Sequence, residues 1–315
     1  MINLQSQHVA FLFPGQGSQS VGMGRELAET YPIVKQTFQE ADEILNINLS
    51  KTCWEGPEDQ LNDTVNTQPA ILIHSVAALR AFQETMPKFQ PLYVAGHSMG
   101  EVTALVAANA LTFSEALRLV RIRGESMKQA GTISPGGMAA IIGLDISTLD
   151  RICSEASQFT NEIVQIANDN CPGQVVISGA RKALEYALTL SQQAGARRAI
   201  LLAVSIAAHS PLMIYAQTEY IRAVLAAPMV TPNIPIIGNV NANPLIQTEQ
   251  IRADLQDQLT HRVRWTESIQ FMISQGVNTF IEIGNGSVLT GLVKRIDRQV
   301  EGINLGAPID FRKII

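Results

Sequence analysis

The chain has 315 residues, of which 46% are hydrophobic and only 16% charged, enough to bury the core of one large domain or two unequal ones. Its net charge of −5 argues against a nucleic-acid binder, and its longest apolar runs, about ten residues, are too short to span a bilayer. No lysine or arginine precedes Arg25, so we expect no signal peptide. The three cysteines form neither a C-x-x-C pair nor a disulfide framework. We therefore expect a cytoplasmic protein that binds neither nucleic acid nor membrane.

Taken in chain order, the first predicted element is a short buried strand over Val9–Phe13, followed by a loop with the sequence PGQGSQ. Two glycines around Gln16 let the backbone approach a ligand closely. Gln16 is either a solvated side chain in a tight turn or a group whose N–H points at a reacting carbonyl, and its spacing alone favours the turn. Helical patterns follow over Met23–Asn46 and within Asp63–Met86, where His74 lies among apolar residues and is predicted to be a core histidine.

The next feature is a serine at the centre of G-x-S-x-G, in the stretch LYVAGHSMGE, ahead of a helical pattern over Val102–Leu111. A strand, sharp turn and helix hold such a serine above the end of the sheet, and Gly96 and Gly100 are needed because a Cβ at either place would collide with a neighbouring element. The free N–H groups of the following helix favour a developing anion. We interpret Ser98 as an activated nucleophile.

A capping box, Thr112–Glu115, begins a helix that is predicted to reach Gln129. Arg123 falls on the apolar stripe of this helix and therefore faces inward. A buried arginine needs an anionic partner, because an unpaired buried charge is costly. The partner is either a glutamate or aspartate of the protein or a substrate carboxylate, which the planar guanidinium would bind with two hydrogen bonds.

The pattern changes at Ser134–Gly137, and a strand, helix, strand, strand, helix and strand follow. Their predicted bounds are Met138–Leu144, Ser147–Gln158, Glu162–Ala167, Gln174–Gly179, Arg181–Ala194 and Arg197–Val204. This order predicts a ferredoxin-like subdomain, 134–207, inserted into a larger domain made of 1–133 and 208–315. The predicted loop between its middle strands, Asn168–Gly173, is rich in amides that either only connect the hairpin or line a cleft between the domains.

His209 directly follows this insertion, in the stretch SIAAHS before Pro211, and of the five histidines it is best placed to act as the base for Ser98. The aspartates between the serine and the histidine all lie in the insertion, so we expect a Ser-His pair held by a backbone carbonyl rather than a triad. The remaining chain returns to the larger domain without metal-ligand spacing, and we predict no metal site. Its predicted strands are Ile234–Asn239 and Thr279–Ile283, and its predicted helices are Thr248–Leu259, Thr266–Gln275 and Val288–Asp297.

Five motifs occur in order: FPGQGSQ, GHSMGE, the helix that carries Arg123, ANDNCPGQVVISG and SIAAHS. Together they resemble the malonyl-CoA:acyl carrier protein transacylases, from Phe13 to about Arg295. Within that family the chain is similar to a free-standing acyltransferase, such as one that serves polyketide synthases whose modules lack their own. The resemblance implies an α/β fold, with an α/β-hydrolase-like large domain built on a parallel sheet and the inserted ferredoxin-like subdomain.

The same resemblance implies a ping-pong transfer of malonyl from malonyl-CoA to an acyl carrier protein, or to carrier domains of a synthase, in fatty acid or polyketide synthesis. Ser98 would attack the thioester and His209 accept its proton, while the N–H groups of Gln16 and Met99 form the oxyanion hole. Arg123 would bind the free carboxylate. No cofactor is expected, since malonyl-CoA is itself a substrate.

Three further residues are implied by the resemblance: the backbone carbonyl of Gln258 would orient the histidine, and Asn168 and Asn170 would lie near the active site. Because carrier proteins are acidic, a net-acidic enzyme needs a local basic surface to meet one. The candidate pairs are Arg197 with Arg198 and Lys294 with Arg295, and the alternative is that these are ordinary solvated charges.

Two rival functions are weighed against this one. A hydrolase of the same fold that removes acyl groups from carrier proteins would share Ser98 and His209, but it would bind no carboxylate and would favour a neutral residue in place of Arg123. A scaffold subunit that only kept the fold would need none of the three. Ala208 is small where a bulky residue often excludes an extra methyl group, so malonyl is favoured by the family resemblance and not by this position.

Overall fold

The structure, a computed structural model, describes residues 6–314, with side chains to residue 312. This part of the chain forms an α/β fold, as the sequence predicts, with the strands divided between two sheets. The strands are β1 Val9–Phe13, β2 Tyr93–Gly96, β3 Gly137–Ile142, β4 Val164–Cys171, β5 Gln174–Gly179, β6 Arg198–Leu201, β7 Ile236–Ile237, β8 Pro244–Leu245, β9 Thr279–Ile283 and β10 Glu301–Leu305.

The larger sheet has the strand order β10-β9-β1-β2-β7-β8, and it is parallel except for β8. Every residue of its central strand β1 is buried. Phe11 and Phe13 enter the core on one face, whereas Ala10 and Leu12 enter the core on the other. A strand buried on both faces is typical of a parallel sheet that is covered by helices on both sides.

Those helices carry the apolar faces that the sheet requires. They are α1 Arg25–Thr30, α2 Pro32–Leu45, α3 Leu49–Glu55, α4 Glu58–Asn62, α5 Thr64–Thr85, α6 Gly100–Ala107, α7 Phe113–Ile133, α8 Ile146–Thr160, α9 Arg181–Gln193, α10 Ile214–Ala226, α11 Thr248–Gln258, α12 Trp265–Ser274, α13 Val288–Ile296 and α14 Pro308–Ile314. Residues of α2, α5, α6 and α7 line one core of the large sheet, and residues of α12 and α13 line the other. His74 of α5 is buried and its Nε2 lies 3.0 Å from the Gly306 carbonyl oxygen, so it is a core histidine as predicted.

The smaller sheet is antiparallel, with the order β4-β5-β3-β6, and α8 and α9 share its core. It comes from the segment between α7 and α10, and the predicted order of strand, helix, strand, strand, helix and strand is the observed one. Its last strand ends at Leu201, three residues earlier than predicted. Strand β4 is tied to the segment before α12, where the Asp169 N–H donates to the Val263 carbonyl and the Val263 N–H donates to the Ala167 carbonyl.

Two sequence predictions are wrong at the level of elements. The helix predicted over Met23–Asn46 is two helices, because Tyr31 is extended at φ −120° immediately before Pro32, where a proline disfavours helical backbone. The predicted loop over Asn168–Gly173 is mostly strand, since β4 continues to Cys171. Hydrogen bonds from both the neighbouring strand and Val263 outweigh the turn preference of its amide residues.

The carboxyl ends of β1 and β2 lie side by side, with Phe13 opposite Gly96. A Cβ built on Gly96 would lie 1.9 Å from the Gly100 carbonyl carbon, and one on Gly100 would lie 2.3 Å from the Phe13 carbonyl oxygen. The turn between strand and helix therefore closes only with glycine at both places. Because β1, β2 and the start of α6 approach so closely, residue 98 lies directly above the end of the sheet.

Replacing Gly96 by alanine should lower the free energy of unfolding by at least about 3 kcal/mol, because the added methyl group meets backbone that cannot move aside. Gly291→Ala is the matched control, since nothing lies within 4 Å of a Cβ there and alanine favours its helix by about 0.5–1 kcal/mol. Urea unfolding followed by circular dichroism measures both changes. Equal stability of the two variants would contradict this account of the turn.

Candidate active site

Ser98 lies in the sharp turn between β2 and α6, with its backbone at φ 53°. This left-handed conformation is unfavourable for serine and is held by the surrounding hydrogen bonds. The Ser98 N–H donates to Asn239 Oδ1 at 2.7 Å, and the Asn239 amide nitrogen donates to the Gly96 carbonyl at 2.8 Å. Ser98 Oγ lies 2.8 Å from His209 Nε2. The turn thus presents the hydroxyl to a histidine 111 residues later in the chain.

His209 is 3% exposed and also has a left-handed backbone, at φ 59°. Its Nδ1 lies 2.7 Å from the Gln258 carbonyl oxygen, which fixes a proton on Nδ1 and leaves Nε2 free to accept one from Ser98. Gln165 donates its amide to the His209 carbonyl at 2.8 Å. Burial, and then the positive charge of Arg123, lower the pKa of His209 to about 3. The imidazole is therefore neutral at physiological pH and can act as a base.

Arg123 points from α7 into the same site and is 1% exposed. Its Nη2 donates to Ser98 Oγ at 3.1 Å and to Gln258 Oε1 at 2.8 Å, and its Nη1 donates to Gln68 Oε1 at 2.9 Å. Its Nε has no partner among the described residues, and no ion pair there includes Arg123. The sequence allows either a carboxylate of the protein or a substrate carboxylate as the partner of Arg123, and no carboxylate of the described residues contacts it. Burial lowers the pKa of the guanidinium, which still lacks a contacting anion.

The loop after β1 packs directly against the serine turn. A Cβ on Gly15 would lie 2.4 Å from the His97 carbonyl oxygen, so only glycine allows this approach. Gln16 is exposed, and its side-chain oxygen accepts from the Thr64 hydroxyl at 3.0 Å. Met99 is buried at the start of α6. Among the described residues, neither the Gln16 N–H nor the Met99 N–H donates to a protein acceptor.

The two asparagines of β4 lie at the junction of the sheets. The pairing of β4 with β5 shifts register between Ile166 and Asn168 and again between Asp169 and Cys171. Such bulges turn side chains away from the regular alternation. Asn170 Oδ1 lies 2.9 Å from Nε2 of His97, the residue before Ser98, and Asn168 forms a β-bridge with Val263.

The four predicted carrier-binding residues are exposed: Arg197 and Arg198 lie at the start of β6, and Lys294 and Arg295 lie on α13. Arg198 is opposite Ile142 in the small sheet, Ile142 is opposite Gln174, and the Arg295 guanidinium of α13 donates to the Gln174 side chain. Arg197 and Lys294 adjoin these arginines in the chain and are exposed as well. Exposed positive charge from two distant segments of the chain therefore lies along one end of the small sheet.

Several residues of the site are not among those predicted from the sequence. Gln68 binds Arg123, Asn239 binds Ser98, and the buried carboxyl groups of Glu101 and Asp254 lie behind them. The only available signals were a glutamine and a glutamate inside apolar helical stretches, positions that call for a polar partner.

Two negative findings apply to residues 6–314. They contain no group of histidine, cysteine, aspartate and glutamate side chains that could hold a metal ion. No helix among them is both long and apolar enough to cross a membrane.

Comparison with known proteins gives a consistent result. Residues 10–307 match the acyl transferase domain family. A malonyl CoA-acyl carrier protein transacylase of Bacillus subtilis is 45% identical over 300 residues, which are 95% of this chain and 94% of that protein. An acyl carrier protein S-malonyltransferase structure from Vibrio cholerae is 42% identical, with a TM-score of 0.94, and the match covers 98% of this chain and 100% of that one.

A third match is a malonyl-transacylase whose structure was solved in complex with its type II polyketide synthase acyl-carrier protein. It is 42% identical, with a TM-score of 0.93, over 97% of this chain and 98% of that one. The agreement extends over nearly the full length, and it includes the strand, turn and helix around Ser98. The chain belongs to the acyl transferase domain family, as one of its malonyl-CoA:acyl carrier protein transacylases.

Proposed function

We propose that this protein moves a malonyl group from malonyl-CoA to the phosphopantetheine thiol of an acyl carrier protein through an ester on Ser98. The observation that carries this proposal is Arg123, which is buried, touches Ser98 Oγ at 3.1 Å and has only neutral hydrogen-bond partners in the described chain. A buried cation beside the nucleophile favours an acyl group with its own carboxylate. Malonyl has such a carboxylate, whereas an unsubstituted acyl chain does not.

In the first half-reaction Ser98 Oγ attacks the thioester carbonyl while its proton moves to His209 Nε2, 2.8 Å away. The tetrahedral oxyanion collapses, the C–S bond breaks, and the imidazolium returns its proton to the departing CoA thiolate. The second half-reaction reverses these steps with the carrier thiol as the attacking group. The two substrates therefore use the site in turn, as ping-pong kinetics require.

The oxyanion is assigned to the N–H groups of Gln16 and Met99, which make no hydrogen bond within the described protein. Met99 follows Ser98 in the serine turn, and Gln16 follows Gly15, whose backbone packs against the His97 carbonyl. One donor of this kind is typically worth about 10²–10³ in rate. The Gln16 side chain has a different partner, Thr64, and so the backbone of the loop carries the proposed role.

Binding of the malonyl carboxylate to Arg123 also bears on the base. The charge of Arg123 is the second cause, after burial, that lowers the pKa of His209. A bound carboxylate offsets that charge, so the pKa of His209 rises towards the value at which a general base is most effective. The correct substrate would thus activate the base that acylates Ser98. We place Asn168 and Asn170 at the wall of the acyl site, on the strength of the Asn170 contact to His97.

The architecture proposed for this activity is an α/β-hydrolase-like domain, 1–133 and 208–315, with a ferredoxin-like insertion, 134–207. Residues 1–5 and 315 lie outside the described residues. The strand order β4-β5-β3-β6 around two helices supports the second name. No cofactor enters the proposed chemistry, because Ser98 itself carries the acyl group. The three free cysteines are compatible with the cytoplasm, where we place the protein.

For the carrier protein we propose the basic end of the small sheet as the docking surface. Arg295 contacts Gln174, which pairs with Cys171, and the neighbouring Asn170 contacts His97 beside the nucleophile. This surface is therefore a few residues from the site that the phosphopantetheine arm must reach. Its exposed arginines suit the acidic helices of a carrier protein.

Incubation with malonyl-CoA should add one malonyl mass to the intact protein, and incubation with acetyl-CoA should add none, because only malonyl offers a carboxylate to Arg123. The adduct should be absent in Ser98→Ala and should pass to added carrier protein. Intact-mass spectrometry reads all of these results. If the adduct is lost to water at the same rate with and without carrier, the protein is a hydrolase and the transfer proposal fails.

Arg123→Met should raise the pKa of His209, because it removes a positive charge that holds this pKa down. His209 accepts a proton only while neutral, so labelling of Ser98 by a fluorophosphonate is lost as the pH falls through the pKa of His209. The acidic limb of the labelling rate should therefore move to higher pH in this variant. Arg121→Met is the control, since Arg121 pairs with Glu125 on the outer side of the same helix. An unchanged limb in Arg123→Met would show that the two groups are not coupled.

Alanine at all four basic positions of the docking surface should raise the KM for carrier protein about tenfold at low salt and remove most of its salt dependence. The four are Arg197, Arg198, Lys294 and Arg295. Acylation by saturating malonyl-CoA shows that the site remains intact. The matched control replaces four exposed cations of the larger domain, Arg25, Lys35, Lys51 and Lys88. If both sets of substitutions raise the KM for carrier protein equally, the effect comes from net charge alone, and these four residues do not form a specific docking surface.

A further inference from the structure

Two carboxyl groups are buried directly behind the serine turn. Glu101, in the first turn of α6, is 0% exposed, and Asp254 of α11 is 3% exposed. The Asn239 N–H lies 3.3 Å from Glu101 Oε2 and 3.1 Å from Asp254 Oδ2, so one donor is shared by both groups. Such a pair is unusual in a protein interior, since two adjacent buried anions repel each other strongly.

The hydrogen-bond donors around the pair are too few for two charges. Asp254 also accepts from the Val240 N–H at 3.2 Å, and Glu101 Oε2 accepts from Gln258 at 2.8 Å. Glu101 Oε1, however, has no donor among the described residues although it is fully buried. A bare carboxylate oxygen there would be costly, whereas a protonated one could donate to the neighbouring Asp254. Burial, and then the charge of Asp254, raise the pKa of Glu101 well above its usual range.

The pair supports two side chains that touch the catalytic serine. Gln258 donates its amide both to Glu101 and to the Ser98 carbonyl, at 3.1 Å, and its Oε1 accepts from Arg123. Asn239 accepts the Ser98 N–H while its own N–H donates to the two carboxyl groups. The serine turn, the base and the arginine are thus all linked to this pair through neutral amides.

We propose that Glu101 and Asp254 hold a single proton between them and act as positioning residues for Ser98 and Arg123. Glu101 is the neutral partner, and the one negative charge of the pair offsets the buried Arg123 through the Gln258 side chain. The guanidinium keeps a nearby counter-charge without a contacting carboxylate, so it remains free to bind the acyl carboxylate. This inference rests on the role proposed for Arg123 in malonyl transfer.

The other charged and titratable groups near the pair are consistent with one negative charge. Glu101 raises the pKa of Arg123 of α7 and that of Tyr220 of α10, and Asp257 of α11 raises the pKa of Asp254. A second negative charge would add to the repulsion from Asp257, whereas a pair without charge would leave the charge of Arg123 uncompensated.

Glutamine is the decisive substitution for Glu101, because an amide has one oxygen acceptor and a donor group in the places of a protonated carboxyl. We expect Glu101→Gln to keep kcat within about threefold, whereas Glu101→Leu, which removes the contact of Gln258 with Glu101 and the proton shared with Asp254, should lose about a hundredfold in kcat. The assay is malonyl transfer from malonyl-CoA to carrier protein. A Glu101→Gln protein that is as impaired as Glu101→Leu, or that does not fold, would overturn the proposal.

The proton itself is read by infrared spectroscopy of the free enzyme at neutral pH. The wild type should show the C=O band of a protonated carboxyl group, and Glu101→Gln should lack it. Glu282→Gln is the matched control, since Glu282 is equally buried but accepts from two backbone N–H groups and the Thr290 hydroxyl, and the band should persist in this variant. Absence of the band from the wild type would refute the shared proton. This readout needs no substrate, so it stands apart from failure of the transfer reaction itself.

Discussion

The feature on which the rest of the site depends is a buried arginine whose hydrogen-bond partners are neutral. Arg123 is held by the side-chain oxygens of Gln68 and Gln258 and by Ser98 Oγ. Neutral acceptors satisfy the N–H groups but leave the charge only partly compensated. A bound carboxylate would complete this compensation by direct contact, and we therefore expect the site to favour an acyl group that carries an anion.

The use of amides in place of carboxylates extends to the histidine. A carboxylate beside His209 Nδ1 would raise its pKa and would also give Arg123 a permanent ion-pair partner. The Gln258 backbone carbonyl instead fixes the imidazole at 2.7 Å without adding charge, while the side chain of the same residue holds the arginine. One residue thus contacts both His209, through its backbone carbonyl, and Arg123, through its side-chain oxygen. The Ser-His pair and the free arginine are consequences of the same arrangement.

How far the sequence predicts this structure depends on whether a feature is local. The serine turn follows from two glycines whose absent Cβ atoms are needed within five residues of each other, and the inward direction of Arg123 follows from helical spacing alone. The break between the two helices at Pro32 could also have been predicted locally, because a proline disfavours helical backbone in the residue before it. The strand at Asn168 and Asn170 could not be predicted locally, because Val263, about a hundred residues later, supplies the hydrogen bonds that override their turn preference.

The contacts that support Ser98 and His209 could not be predicted from the sequence for a further reason. Asn239 and Gln258 bind Ser98 from more than 140 residues away, and nothing in their own surroundings marks them as polar partners of a turn. The contact that orients His209 is made by a backbone carbonyl, which every residue possesses, so no residue type at that position can reveal it from the chain alone. The family resemblance pointed to Gln258 where residue chemistry could not.

The left-handed backbone at both Ser98 and His209 explains why so many long-range contacts converge here. Each conformation is unfavourable for its residue, by about 1–3 kcal/mol, and persists only where the surroundings impose it. Asn239 and Gln258 impose it on the serine, and Gln165 of the small sheet, which donates to the His209 carbonyl, helps to impose it on the histidine. The small sheet thus helps to hold His209 beside Ser98, because one hydrogen bond from its Gln165 fixes the backbone that carries the imidazole.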